Sequence, residues 1–298
     1  MVKGAVWVLV MSGKEPAEWV MNWVKDAISQ LGGCTLASVS AQREGASEAY
    51  RRRQMTACSR VGASGIMIDV DPVDGEGAML EAIRGLSEDP GVHGIIVQTP
   101  LPSGWDISRI FQSMDPAKDV EGVHPENLGK LFLGVGGHPL PCAAWASIGL
   151  LEWYGLGELK GKVCSVVGHS INVGRPIGAM LLQRDATVLQ SHKYTPRDVF
   201  RDLLRSSDVV VSAAGVPGLI KEDMIAPGSW VVDVGTTPTE KGLVGDVDTS
   251  CVRVAGAVSP VPGGVGPLTV ALLLANLVLL ASKQKKRSLV VLDRVKRD

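Results

Sequence analysis

Three short segments of this sequence carry residue types suited to holding a flat, phosphorylated ligand. The first is Gly168-His169-Ser170-Ile171-Asn172-Val173-Gly174-Arg175-Pro176. It follows a strand-like run and precedes a helix-like one, where glycines let the backbone approach phosphates at a helix N-terminus. Its spacing is not GxGxxG, so taken alone it reads equally well as an ordinary strand-to-helix turn. The second is Ser191-His192-Lys193-Tyr194-Thr195, just after the next strand. In a dinucleotide fold this position meets the adenosine ribose, where an acidic residue favours NAD. Lys193 favours a 2′-phosphate and therefore NADP; the alternative is a plain surface lysine. The third is Ser259-Pro-Val-Pro-Gly-Gly-Val-Gly-Pro-Leu-Thr269. Its alternating prolines and glycines fix an unusual backbone path, as suits main-chain groups that must face a flat ligand.

The elements that would position these segments follow from hydrophobic periodicity. In residues 16–31, Trp19, Val20, Trp23, Val24, Ile28 and Leu31 recur at helical spacing, and Gly32-Gly33 ends the helix. A strand over 34–42, a helix over 47–61, a strand over 64–70, a helix over 76–88 and a short buried strand over 94–98 come next. Strands alternating with helices imply parallel strands with crossover helices. Residues 115–142 read as a loop rich in Gly and Pro, followed by a helix over 144–154. The pattern then restarts, with strands at 163–167, 186–190, 208–213 and 230–234 and helices after Pro176 and Pro196, as in a doubly wound nucleotide-binding unit. The expectation is an α/β fold of two lobes flanking a cleft, the second lobe Rossmann-like. Residues 1–140 with the C-terminal helix 266–298 form one domain, residues 141–265 the other, and the cleft is the default ligand site.

Composition narrows the class. With 298 residues the chain has room for two domains. Its formal net charge of -1 lacks the basic excess of a general nucleic-acid binder. The one basic cluster, Lys283 to Arg287 with Arg294 and Lys296, reads as a solvated terminal segment. Five cysteines without a CxxC spacing argue against a disulfide framework or a zinc site and fit cytosolic thiols. His93, His124 and His138 lack metal-ligand spacing. The N-terminal apolar run lacks the features of a signal peptide. The apolar stretch Val265 to Ala281 is interrupted by Pro267, Thr269 and Asn276, and reads as a buried helix rather than a membrane span.

In order along the chain, GIIVQTPLP, PAKDVEGVHPENLGKL, VVGHSINVGRP, DVGTTP, GDVD and SPVPGGVGPLT resemble the methylenetetrahydrofolate dehydrogenase/cyclohydrolase family, from about Leu36 to Ala281. The last motif is highly specific to that family. The resemblance implies NADP on the second lobe, a tetrahydrofolate derivative between the lobes and a homodimer. It places Gly168, His169, Ser170, Val173, Gly174, Lys193, Gly215, Gly235 and Thr236 at the cofactor. His169 stands where an arginine is common in the family, which shifts the expected grip on the 2′-phosphate toward Lys193. Residues 262–270 line the folate site, among them Pro262, Gly263, Gly264 and Thr269. On the first lobe the family carries Tyr-x-x-x-Lys on a helix facing the folate. Here Tyr50 matches, and Gln54 replaces the lysine. Gln98 matches the family's cleft glutamine, flanked by Val97 and Thr99. Asp119 is kept, and Glu121 replaces the family's second aspartate. Cys142 matches a position near the cofactor, with no nucleophile role assigned.

The chemistry so implied has two steps. Hydride transfer from the methylene carbon to nicotinamide is chiefly an orientation problem, since the folate nitrogens stabilise the resulting cation. Tyr50 would pack on the folate and Glu121 accept hydrogen bonds from the pterin amino edge. Hydrolysis of the methenyl product needs a group that carries a proton, and Gln54 cannot titrate. The expectation is an NADP-dependent dehydrogenase whose cyclohydrolase activity is weak or lost. Arg51, Arg52 and Arg53 are expected on a solvated helix face. The alternatives are a specialised methylene transferase that uses the same substrate, and a non-catalytic folate- or nucleotide-binding regulator.

Overall fold

The computed structural model describes residues 8–42, 46–240, 242–289, 292 and 294–295. Most of the N-terminal apolar run and Lys296 of the basic tail lie outside the described residues. In chain order the elements are β1 (Leu9–Val10), α1 (Lys14–Leu31), β2 (Thr35–Ser40), α2 (Ala46–Val61), β3 (Ser64–Asp69), α3 (Gly75–Glu88), β4 (Gly94–Val97), α4 (Ile107–Gln112) and α5 (Pro125–Leu133). They continue as α6 (Cys142–Trp153), β5 (Val163–Val167), α7 (Gly174–Leu182), β6 (Thr187–Ser191), α8 (Arg197–Arg205), β7 (Val209–Ser212) and β8 (Trp230–Asp233). A hairpin, β9 (Thr237–Thr239) and β10 (Gly242–Val244), precedes β11 (Ala257–Val258) and α9 (Val265–Gln284).

Two compact units result. The described parts of Glu18–Cys142 and Val270–Asp293 form one, around a parallel sheet in the order β3-β2-β4. Its central strand pairs Ala37 with both Ile66 and Ile95. Most of α9 belongs here. It is apolar nearly all round, and Leu272, Leu273, Leu274, Leu277, Val278 and Leu280 are buried, which is the pattern of a core helix. Burying each such side chain contributes roughly 1.5–3 kcal/mol. Its buried amide, Asn276, is fully used. Asn276 Nδ2 donates to the carbonyls of Val120 and Leu140 at 2.8 Å each, and its Oδ1 accepts from Leu140 N at 3.2 Å. Asn276 thereby ties the segment that follows β4 to the core helix.

The described parts of Met1–Ala17, Ala143–Thr269 and Arg294–Asp298 form the other unit, around a parallel sheet ordered β1-β11-β8-β7-β5-β6. Its inner strands read VCSVV, VVVS and WVVD, continuous apolar runs that are buried on both faces. From β5 the chain goes outward to β6, then returns to place β7 on the other side. The ends of β5 and β7 therefore flank a topological switch point, where open α/β sheets take ligands.

Three expectations change. The start of the chain, expected in the first lobe, instead pairs Leu9 with Ala257 and Val10 with Val258 in the six-stranded sheet. A two-residue parallel pairing across the length of the chain leaves no local periodicity to read. The segment 115–142 is not all loop, because it contains α5. His124 Nδ1 accepts from Glu126 N at 3.1 Å, Pro125 opens the first turn and Gly134 closes the helix with φ 72. Pro at the first position and Gly just past the last are helix ends, not helix breakers. The basic tail is not simply solvated either. Lys285 Nζ donates to Leu31 O at 3.2 Å and Arg287 Nη1 to Gln30 O at 2.6 Å, so these cations cap the carbonyl end of α1.

Candidate functional site

In the three-stranded unit, Tyr50 and Gln54 lie one turn apart on α2, and Gln98 follows β4. The structure joins the two amides. Gln98 Nε2 donates to Gln54 Oε1 at 2.8 Å and to Ser38 Oγ of β2 at 3.0 Å. Gln54 is fully buried, and its Nε2 makes no well-formed hydrogen bond among the described residues, although the carboxamide lies close enough to the Tyr50 phenol to offset part of the burial-driven rise in that group's pKa. A buried unpaired donor costs about 1–3 kcal/mol, so this end of the carboxamide suits a ligand acceptor. Val97 is buried and can offer only backbone, whereas Thr99 is exposed.

Arg51 overturns the expectation of a solvated face. It is 0% exposed, while Arg52 and Arg53 are exposed as expected. Its guanidinium pairs with Asp69 and, at 3.7 Å, with Glu48. It also donates from Nε to Ser38 Oγ at 3.2 Å, and from Nη2 to the carbonyls of Ser38 and Ile68 at 2.9 Å each. A buried guanidinium is tolerated only when paired and hydrogen-bonded in this way. Ser38 Oγ thus links Arg51 to Gln98 and Gln54. Sequence reading missed the network because three consecutive arginines look like surface, although only one falls on the inward stripe. The buried serines of β2 were the available signal.

The acidic residues sit on the segment after the Pro116 turn. Asp119 is fully buried, and its Oδ2 accepts from His124 N at 2.8 Å and Asn127 Nδ2 at 2.9 Å. Its Oδ1 has no partner among the described residues. Burial raises its pKa. Glu121 is pushed up to about 8 by burial and then by the charge of Asp119. Burial also raises the Tyr50 phenol, with Glu121 adding to it. The Cys142 thiol is driven well above its ordinary value by burial and then by Glu121, and so is no nucleophile at neutral pH. Tyr50, Glu121 and Cys142 therefore share one desolvated neighbourhood.

In the six-stranded unit the candidate residues gather at the strand ends by the switch point. Gly168 has φ 110, and a Cβ there would collide with the Ala213 carbonyl, so only glycine lets the ends of β5 and β7 come this close. Gly174 packs in the same way on the Gly168 carbonyl. His169 and Ser170 are exposed, Val173 caps α7, and Gly174 N donates to Ser170 Oγ at 3.3 Å. Lys193 is exposed, with its ammonium 4.9 Å from the Tyr194 ring centre.

Two aspartates, assigned no role from sequence, build the neighbouring turns. Asp246 Oδ2 accepts from Ser212 Oγ, Ala214 N and Gly215 N at 2.9, 2.7 and 3.2 Å, and its Oδ1 accepts from Val216 N at 2.8 Å. Asp233 Oδ1 accepts from Gly235 N and Asp246 N at 3.0 Å each. Burial raises the Asp233 carboxyl to about 6. These contacts hold Gly215 and Thr236 at the surface and Gly235 below it. The repeated Asp of DVGTTP and GDVD was visible in the sequence, but its backbone partners were not. The Pro262–Gly264 turn is held by Gly264 N on Pro260 O at 2.7 Å and Gly13 N on Gly263 O at 2.8 Å. Thr269 spends its proton on Val265 O at 3.0 Å. Among the described residues no group of three or more His, Cys, Asp or Glu gathers as metal ligands would.

Comparison with known proteins follows the same division. Residues 11–121 match the catalytic-domain model of tetrahydrofolate dehydrogenase/cyclohydrolase, and residues 141–285 match the NAD(P)-binding domain of the same family. The bifunctional protein FolD of Methanospirillum hungatei is 41% identical over 270 residues, spanning 90% of this chain and 95% of the relative. The crystal structure of the bifunctional enzyme FolD from Campylobacter jejuni superposes with a TM-score of 0.89 at 34% identity, over 93% of this chain and 99% of the other. That of Trypanosoma brucei methylenetetrahydrofolate dehydrogenase-cyclohydrolase, complexed with NADP cofactor and inhibitor, gives 0.88 at 32% identity over 93% and 98%.

Proposed function

The chain belongs to the tetrahydrofolate dehydrogenase/cyclohydrolase family, and from that premise we propose that it oxidises 5,10-methylenetetrahydrofolate to the methenyl form with NADP, with little hydrolysis of the product. The observation that carries this reading is the polar neighbourhood of the three-stranded unit. It offers an unpaired donor at Gln54 Nε2, an unpaired acceptor at Asp119 Oδ1 and a carboxyl at Glu121. A pterin edge supplies matching acceptors and donors, and Tyr50 supplies an aromatic face. We assign the folate site to Tyr50, Gln54, Gln98 and Glu121, with Val97 and Thr99 beside them; Pro262, Gly263, Gly264 and Thr269 of the proline–glycine turn are assigned to folate on family resemblance alone. The cofactor site is assigned to Gly168, His169, Ser170, Val173, Gly174, Lys193, Gly215, Gly235 and Thr236. The exposed turn at Gly168 and the exposed cations Arg175 and Lys193 fit a phosphorylated dinucleotide.

When bound, NADP supplies the hydride acceptor. The protein's part is to hold the methylene carbon in line, an effect of orientation. Ser38 and Gln98 lock the Gln54 carboxamide, whose remaining donor fixes the folate. Glu121 accepts from the pterin amino edge once it is ionised. Opening the methenyl ring needs a proton delivered to a folate nitrogen, and a carboxamide has none to give. The reading includes a homodimer and a cytoplasmic setting, both on family resemblance. Purified protein given NADP and methylenetetrahydrofolate should form methenyltetrahydrofolate and NADPH in equal amounts. Supplied methenyltetrahydrofolate should disappear no faster than in buffer. Binding of both ligands with no NADPH formed would reject the dehydrogenase assignment.

A further inference from the structure

The turns after β5 and β6 meet at a pair of histidines. Val167 pairs with Ser191, and Gly168 N donates to Ser191 O at 2.9 Å, so the residues that follow are held side by side. The His169 and His192 ring centres lie 4.8 Å apart with the planes inclined by 47°. Both residues are exposed. Two imidazoles are thus presented next to Lys193, at the strand end where a dinucleotide fold meets the adenosine ribose.

The two rings are not equivalent. His192 is built into its turn: its N donates to Thr195 Oγ1 at 3.0 Å, and its Nδ1 accepts from Tyr194 N at 3.3 Å. Its Nδ1 is thus committed as an acceptor, which leaves Nε2 as the ring's free nitrogen. The ring nitrogens of His169 enter no hydrogen bond among the described residues; only its carbonyl is engaged, by Arg175 Nε at 3.1 Å. His169 is therefore the ring with both nitrogens open to a ligand. The other charged or titratable groups on the elements that meet here are Arg175 on α7, Lys193 and Tyr194 in the turn, and Arg197 and Asp198 at the start of α8.

We propose that His169 is a proton-linked specificity residue: in its charged form, beside His192, it joins Lys193 in gripping the 2′-phosphate of NADP. This rests on the proposed cofactor site. Imidazole is the side chain whose charge changes between about pH 5 and 8. A phosphate dianion favours the charged ring, so binding takes up a proton, and affinity for NADP falls as the pH rises. NAD lacks the 2′-phosphate and gains nothing from that proton. An arginine at residue 169 would stay charged and abolish the dependence. At high pH, Lys193 and Arg175 keep a residual preference for NADP.

Calorimetric titration of the full chain with NADP and with NAD, from about pH 6.5 to about pH 8.5, tests this. The lower limit stays above the second ionisation of the phosphate itself, near about 6. The ratio of NADP to NAD affinity should fall by roughly tenfold across that range in the unmodified protein. Repeating the titration in buffers of different ionisation enthalpy should show uptake of close to one proton per NADP. His169→Arg should hold the ratio high and flat, and His169→Gln low and flat; thermal melts show whether each variant is folded. A ratio that does not change with pH in the unmodified protein would overturn the proposal, and so would a pH slope that survives in His169→Gln. Failure to bind NADP at any pH would overturn the cofactor site along with it.

Discussion

The two units build their proposed ligand sites by different physical means. The six-stranded unit does it with backbone. Gly168 and Gly174 allow main chain to touch main chain, Asp246 and Asp233 gather amide N–H groups, and the charged side chains stand in solvent. The three-stranded unit does it with buried side chains: Arg51, Ser38, Gln98 and Gln54 form one connected chain, and Asp119 and Glu121 are desolvated beside it. A backbone site tolerates exchange of its exposed side chains and fails when its anchors go. A side-chain site responds to each buried group separately.

The largest expected effect falls on an anchor. Asp246→Ala strands four donors and should destabilise the protein by about 3–5 kcal/mol, given about 1–3 kcal/mol for each unsatisfied group and partial rescue by water. A thermal melt should show a drop of roughly 6–15 °C, with NADP binding lost. An unchanged melt would mean that the turns hold themselves. Next comes Gln54→Lys, which restores a titratable group and should raise methenyl hydrolysis by about 10²-fold or more while dehydrogenase activity persists. No gain would remove the carboxamide as the cause of weak hydrolysis.

Glu121→Gln should lower dehydrogenase kcat/KM by roughly 10–100-fold, the worth of a charge-assisted hydrogen bond. It also tests a pH dependence. Because Glu121 is pushed up to about 8, the free enzyme holds it protonated at neutral pH, and kcat/KM should rise through about 8 as the carboxylate forms. The stability sign is the reverse. The unfolded chain releases this proton near about 4.3, so between there and about 8 the folded state loses stability as the pH rises. The variant should lack both trends, and a kcat/KM profile identical to that of the parent would contradict the assignment. The smallest effect belongs to an exposed cation: Lys193→Ala should weaken NADP binding by less than about tenfold and leave NAD binding unchanged.

The same contrast explains what was legible in the sequence. Tight backbone needs glycine and proline, and these leave a readable pattern in VVGHSINVGRP at the switch point and in the separate turn SPVPGGVGPLT. Parallel strands were legible as Val runs, and α9 as an apolar stretch whose Pro267, Thr269 and Asn276 mark a buried helix. What buried polar groups do was not legible. Arg51 sits in a run of three arginines, and its burial is decided by helix phase against β2 and β3. Asp233 and Asp246 act on backbone amides, which have no letter in the sequence. The α5 helix hid behind its own capping residues, and β1 behind a partner strand far along the chain.

The central claim is oxidation without hydrolysis, and one reaction tests it. NADP and methylenetetrahydrofolate are mixed with the purified chain, and NADPH, methenyltetrahydrofolate and formyltetrahydrofolate are followed together. Methenyltetrahydrofolate should accumulate in step with NADPH, with formyltetrahydrofolate appearing only at the rate seen in buffer. Formyltetrahydrofolate keeping pace with NADPH would contradict the account, and would make Glu121, the acid that keeps its proton at neutral pH, the group to examine as its source.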